Sequence, residues 1–121
     1  MPEVLLIDDD EFVLSTVQAL LVTAGFKVTT TADGPHGIEL YARARPSAVV
    51  LDLGLPSMDG LQVLKRIRDL DAGAKVIVVT GYSSEAAAQA ARAMGAADFL
   101  PKPFEPKQLV ERLNALIRTP R

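Results

Sequence analysis

Three aspartates, a threonine and a lysine are the residues of this 121-residue sequence whose types and placing could do chemistry. Asp8 and Asp9 follow the apolar run 4–7, Asp52 follows 48–51, Thr80 follows 75–79, and Lys102 follows the run 97–100 and Pro101. If those runs converge, two ionised carboxylates about 4 Å apart repel by roughly 4 kcal/mol at an effective dielectric near 20. Three together need a counterion or must hold protons. A divalent cation is the direct remedy. The donors are hard oxygens without imidazole or thiolate, which suits Mg²⁺ or Mn²⁺ with several waters retained. Lys102 brings a further positive charge and Thr80 a hydroxyl. A cation, an ammonium and a hydroxyl around a carboxylate are the parts that stabilise a phosphoryl group in transfer. The carboxylate can itself be the nucleophile, giving an aspartyl-phosphate.

Such a site requires elements that bring four chain segments to one edge. Strand-like and helix-like patterns alternate from end to end, the signature of an α/β domain with a mostly parallel sheet. The strands are read at 4–7, 26–31, 48–51, 75–79 and 97–100; the first, third and fourth are continuous apolar runs and belong in the centre. Helix one covers about 11–24, with Val13, Val17, Leu20, Leu21 and Ala24 on its stripe and Gly25 to stop it. Helix two starts at Pro35 and ends before Pro46. Helix three follows Asp59 as N-cap and is expected to bury Leu61, Leu64, Ile67 and Leu70. Helix four, after Ser84, is largely alanine and ends at Gly95; helix five begins at Pro106 and presents Leu109, Leu113, Leu116 and Ile117. In open parallel sheets, ligands bind beyond the carboxyl ends of the strands, where the strand order reverses. All five candidate residues fall there.

The totals exclude several classes. With 49% hydrophobic and 23% charged residues, the chain reads as one globular domain able to bury a core without disulfides or a structural metal. Zero cysteines rules out thiolate zinc sites and thiol nucleophiles. Thirteen basic and fifteen acidic residues spread along the chain leave no footprint for a phosphate backbone, so direct nucleic-acid binding is not indicated. No apolar run approaches the 18 or so residues of a membrane span, and a cytoplasmic location without membrane contact is the expectation.

The set IDDD (7–10), VVLDLGLPSMDG (49–60), VIVVTGYS (76–83) and DFLPKPF (98–104) resembles the receiver domain of bacterial two-component response regulators, over nearly the whole chain. The resemblance implies a flavodoxin-like three-layer α/β/α fold, with five parallel strands in the order 2-1-3-4-5 and five helices. It implies phosphoryl transfer from a sensor histidine kinase or histidine phosphotransfer protein to Asp52 as phosphoacceptor. Residue by residue, Asp9 matches the direct Mg²⁺ ligand, Asp8 the carboxylate that holds metal through water, and Gly54 the residue whose backbone carbonyl joins the coordination. Thr80 matches the hydroxyl that moves toward the phosphoryl oxygen, Lys102 the lysine that pairs with it, and Phe99 the aromatic switch position. The Lys102–Pro103 bond is the one this family commonly holds cis. Gly54 and Tyr82 occupy positions that influence phosphoryl lifetime; neither carries a carboxylate or amide to orient water, so slow self-dephosphorylation is expected. The face made by helix four, strand five and helix five is the expected docking or dimerisation surface. Residues 1–121 read as a single receiver domain with no output domain. Its enzyme status is partial, since it would catalyse its own phosphorylation and slow dephosphorylation yet serve mainly as a switch.

Competing readings attach to several residues. Asp10 and Glu11 read as favourable negative charge at a helix N-terminus rather than as ligands, and His36 as a surface residue without chemistry. A haloacid-dehalogenase-like phosphatase would use Asp8 as nucleophile, Asp10 as general acid and Lys102 as its lysine. It lacks an acidic pair after Lys102 and leaves LDLGLPSMDG without a role. An unphosphorylated receiver-like docking module is the non-enzymatic alternative.

Overall fold

The computed structural model describes residues 1–81 and 85–120. Five strands, β1 (Glu3–Ile7), β2 (Lys27–Thr31), β3 (Ala48–Asp52), β4 (Val76–Thr80) and β5 (Asp98–Pro101), alternate with five helices, α1 (Glu11–Thr23), α2 (Gly34–Ala44), α3 (Gly60–Leu70), α4 (Glu85–Ala93) and α5 (Pro106–Arg118). All strand pairs are parallel and the order is β2-β1-β3-β4-β5. The three continuous apolar runs are indeed the central strands, buried on both faces as parallel sheets require.

Period-two alternation divides the core between the two helical layers. Leu5, Ile7, Val49, Leu51, Val76, Val78 and Phe99 share one cluster with residues of α2, α3 and α4. Val4, Leu6, Ala48, Val50, Ile77, Val79 and Leu100 share the other with α1 and α5. α1 is capped by Asp10, whose Oδ1 accepts from the amides of Phe12 and Val13 at 2.9 and 3.3 Å, and α3 by Asp59.

Helix faces depart from expectation in two places. In α3 the buried stripe is Gly60, Val63, Leu64 and Ile67, while Leu61 is half-buried and Leu70 is 43% exposed. At 3.6 residues per turn, Leu61 and Leu70 lie to the two sides of that stripe. In α1, Val17 and Leu21 are buried, Val13 and Leu20 only partly, and Ala24 is exposed at the C-cap. Phe12 is 75% exposed. α4 buries only Ala88 and Ala91.

Candidate functional site

Register brings the carboxyl ends of β1, β3, β4 and β5 level. Ile7 pairs with Leu51, Asp52 with Val79, and Thr80 with Pro101. The residue after β1 is Asp8, which is fully buried and whose amide extends the ladder to the Thr31 carbonyl at 3.1 Å. Its Oδ1 accepts from the Asp10 amide at 3.0 Å. Asp9, the next residue, is exposed. Asp52 closes β3 at 7% exposure, and its Oδ1 accepts from the Gly54 amide at 3.2 Å. One oxygen from each of Asp8, Asp9 and Asp52 lies within 4.8 Å of the others.

Lys102 reaches this cluster from β5. Its amide donates to the Thr80 carbonyl at 2.8 Å, so the β4–β5 ladder carries it to the edge. Its Nζ stands 2.7 Å from Asp8 Oδ2 and 3.5 Å from Asp52 Oδ2. The Lys102–Pro103 peptide is cis. Thr80 is completely buried at the end of β4, and Phe99 is 8% exposed in β5. Gly54 is exposed beside Asp52, and Tyr82 lies outside the described residues.

Three carboxylates and one ammonium leave the edge with an excess of negative charge if all are ionised. Burial pushes the Asp52 carboxyl above the ordinary carboxylate value; the Gly54 amide and the Lys102 ammonium pull it down, and Asp8 pushes it up again. Burial also works against the charge on Lys102, but the hydrogen bond to Asp8 and the field of both carboxylates outweigh it and raise its pKa. The donor set is all oxygen, from two buried carboxylates and one exposed, with no imidazole or thiolate. That set fits a hard divalent cation such as Mg²⁺.

Several features have little or no sequence signal. The burial order, with Asp8 deep and Asp9 outward, is one. An apolar groove of about 510 Å³ bordered by Phe12, Val13, Val17, Leu20, Phe104 and Lys102 is another; its only sign was an aromatic residue off the buried stripe of α1. His36 accounts for a third, because its Nδ1 sits 3.0 Å from Thr31 Oγ1. The phosphatase alternative finds no support: Asp8 has no exposed surface, and the carboxylate of Asp10 is engaged as the cap of α1.

Comparison with known proteins identifies the family and the fold. Residues 4–114 match the family model described as the response regulator receiver domain. The transcriptional regulatory protein PrrA of Mycobacterium leprae is 38% identical over 117 residues, covering 97% of this chain and 50% of the relative. The response regulator MprA of Mycobacterium sp. strain KMS is 36% identical over 95% of this chain and 50% of its own length. The chain therefore spans about half the length of the curated relatives it matches. Among solved structures, a CheY-like response regulator receiver domain protein from Methanospirillum hungatei superimposes with a TM-score of 0.93 at 27% identity, covering 97% of this chain and 94% of that one. The receiver domain of a sensor histidine kinase from Pseudomonas aeruginosa, crystallised with a magnesium ion in its active site cleft, gives 0.90 at 28% identity, covering 98% of both chains.

Proposed function

This chain belongs to the response regulator receiver domain family of two-component systems, and on that premise we propose that Asp52 is its phosphoacceptor. Receivers of this family bind Mg²⁺ at an acidic pocket and generally work with histidine kinases. In this chain, Asp9, Asp52 and the Gly54 carbonyl are assigned as direct ligands of that cation, with Asp8 acting through water. When bound, the cation supplies charge neutralisation for the phosphoryl oxygens.

The remaining chemistry falls to side chains. An Asp52 carboxylate oxygen attacks phosphorus, a P–O bond forms, and the P–N bond to the donor imidazole breaks with its electron pair left on the ring nitrogen. Lys102 lies within an ion pair's reach of Asp52 and faces the charge that develops on the phosphoryl group. Thr80, at the end of the adjacent strand, is assigned the hydroxyl that binds a phosphoryl oxygen, and Phe99 the inward or outward switch. The face of α4, β5 and α5 is assigned to docking or dimerisation. Residues 1–121 are assigned to one receiver domain acting in the cytoplasm; no described helix is long and apolar enough to cross a membrane.

The observation that carries this reading is the placement of Lys102 between two buried carboxylates, 2.7 Å from Asp8 and 3.5 Å from Asp52. Treatment with acetyl phosphate and Mg²⁺ followed by phosphopeptide mapping tests it. The expected result is label on Asp52, abolished in Asp52→Asn. Label on Asp8 would indicate the phosphatase chemistry, and no label a passive docking module; either refutes the assignment.

A further inference from the structure

The loop between β3 and α3 carries Gly54, and its return to the sheet is unusually tight. Gly60, the first residue of α3, donates its amide to the Leu53 carbonyl at 3.1 Å. A Cβ placed on Gly60 would stand 2.3 Å from Leu53 Cα and 2.8 Å from the carbonyl oxygens of both Asp52 and Leu53. These are backbone atoms of the proposed acceptor and its neighbour, not flexible side-chain ends. The absence of a side chain at 60 therefore sets how closely α3 begins against the strand end.

An intruding methyl must be accommodated somewhere. α3 is a poor candidate, since Val63, Leu64 and Ile67 have no exposed surface and its first turn packs against α2, where Gly34 would meet Val63 and Met58 at 3.0 and 3.1 Å if it carried a Cβ. The exposed stretch at Gly54 is less constrained. Restoring ordinary contact from 2.3 Å to the 3.4 Å or more that carbon neighbours keep requires a backbone movement of about 1 Å. That movement falls on residues 52–54, where Asp52 and Gly54 sit. The loop has a second tether: Ser57 Oγ accepts from the Gly34 amide at 3.1 Å.

We infer that Gly60 is a positioning residue for the cation site, acting by seating the Asp52–Leu53–Gly54 backbone so that the Asp52 carboxylate and the Gly54 carbonyl converge on one ion. This rests on the assignment of the site proposed above. A misplacement near 1 Å is enough to reduce chemistry by about 100-fold, and loss of a group that orients metal ligands lowers affinity about 10–100-fold.

The experiment compares Gly60→Ala with Gly37→Ala. Gly37 faces a similar intrusion, with its Cβ 2.6 Å from Ile7 Cδ1, but the crowded atom is a side-chain end inside the core rather than backbone of the site. Mg²⁺ affinity is measured from the rise in Tm with added Mg²⁺ and from amide shifts in NMR titration. Gly60→Ala is expected to bind Mg²⁺ at least tenfold more weakly than wild type, and to label more slowly with acetyl phosphate even at saturating Mg²⁺. Gly37→Ala is expected to lower the Tm without Mg²⁺ yet hold affinity within about twofold. Should Gly60→Ala not fold, Ser57→Ala removes the second tether without steric intrusion and is expected to weaken Mg²⁺ binding severalfold. Wild-type affinity in Gly60→Ala, an equal loss in Gly37→Ala, or, if Ser57→Ala must serve, its unchanged affinity overturns the inference. A wild-type protein that does not respond to Mg²⁺ overturns the site assignment itself, which is a different result.

Discussion

Replacing Lys102 with methionine keeps most of the unbranched side chain and deletes its charge, leaving Asp8 in a place built for an ion pair. Asp8 has no exposed surface, and apart from Lys102 its carboxylate has the Asp10 amide at 3.0 Å. At 2.7 Å the Lys102–Asp8 attraction is about 6 kcal/mol at an effective dielectric of 20, and at 3.5 Å the attraction to Asp52 is about 5 kcal/mol. Those figures overstate the net effect, because both partners lost water on folding. Breaking a buried pair by deleting one member lowers stability by about 3–5 kcal/mol, a large share of the roughly 5–15 kcal/mol available to a domain of this kind. The assay is urea unfolding in EDTA followed by far-UV circular dichroism, since the chain has no tryptophan. The expected loss is about 3–5 kcal/mol, of which the double variant Lys102→Met/Asp8→Asn recovers most. Saturating Mg²⁺ narrows the deficit, because the variant presents a more negative site and binding adds stability by mass action, about 2.7 kcal/mol at 100 times Kd. A loss below about 1 kcal/mol, the size found for exposed ion pairs, or a double variant no better than the single one would refute the reasoning.

Two further outcomes follow from the same charges. Because the Asp52 carboxyl titrates above its ordinary value of 3.8, the folded state holds that proton more tightly than the unfolded chain does. Its contribution to stability is present below that value and lost as pH rises through the raised pKa. In EDTA, Asp52→Asn should match wild type near pH 3 and be the more stable protein at pH 7, and denaturant melts across that range check it; a destabilised variant at pH 7 would contradict the sign. The proposed Asp52 phosphoryl group is expected to persist for minutes or longer, because neither Gly54 nor Tyr82 carries a carboxylate or amide to orient an attacking water; acyl-phosphate decay measures this, and a lifetime of seconds would contradict it.

The fold was legible because its strongest signals are local and repeated. Apolar runs such as 48–51 and 76–79 cannot be half-exposed strands, and Asp10, Asp59 and Gly25 mark helix ends by mechanisms that act within a turn. Which residues meet at the site was legible for a different reason. Parallel topology sends every strand's carboxyl end to one edge, so spacing alone predicted that Asp8, Asp9, Asp52, Thr80 and Lys102 gather there. Depth was not legible: adjacent aspartates differ completely in exposure because the chain turns between Asp8 and the cap at Asp10. Nor was the fit of Gly60 against Leu53, which depends on two segments approaching in space. The α3 stripe was misread because three leucines and an isoleucine looked like one face, whereas Val63 takes the buried position and Leu61 and Leu70 flank it.

Lys102 cannot leave Asp8 for a phosphoryl group on Asp52 without consequence. The move would strand a carboxylate with no exposed surface, at a penalty of the size argued above for Lys102→Met. Driving a two-state switch from 1:99 to 99:1 takes about 5.5 kcal/mol of differential stabilisation, so an uncompensated Asp8 would consume most of it. On the assignment proposed above, a cation held directly by Asp9 and Asp52 and through water by Asp8 would remove that obstacle, offsetting Asp8's charge while Lys102 faces the phosphoryl oxygens. On that assignment, Mg²⁺ would be needed to sustain the phosphorylated state as well as to promote the transfer that creates it. On the same proposal Lys102 joins Thr80 and Phe99 in the coupling, because its backbone amide donates to the Thr80 carbonyl and it directly follows β5, which contains Phe99. On this reading, a change at its ammonium would reach the face of α4, β5 and α5 assigned to docking by way of β5.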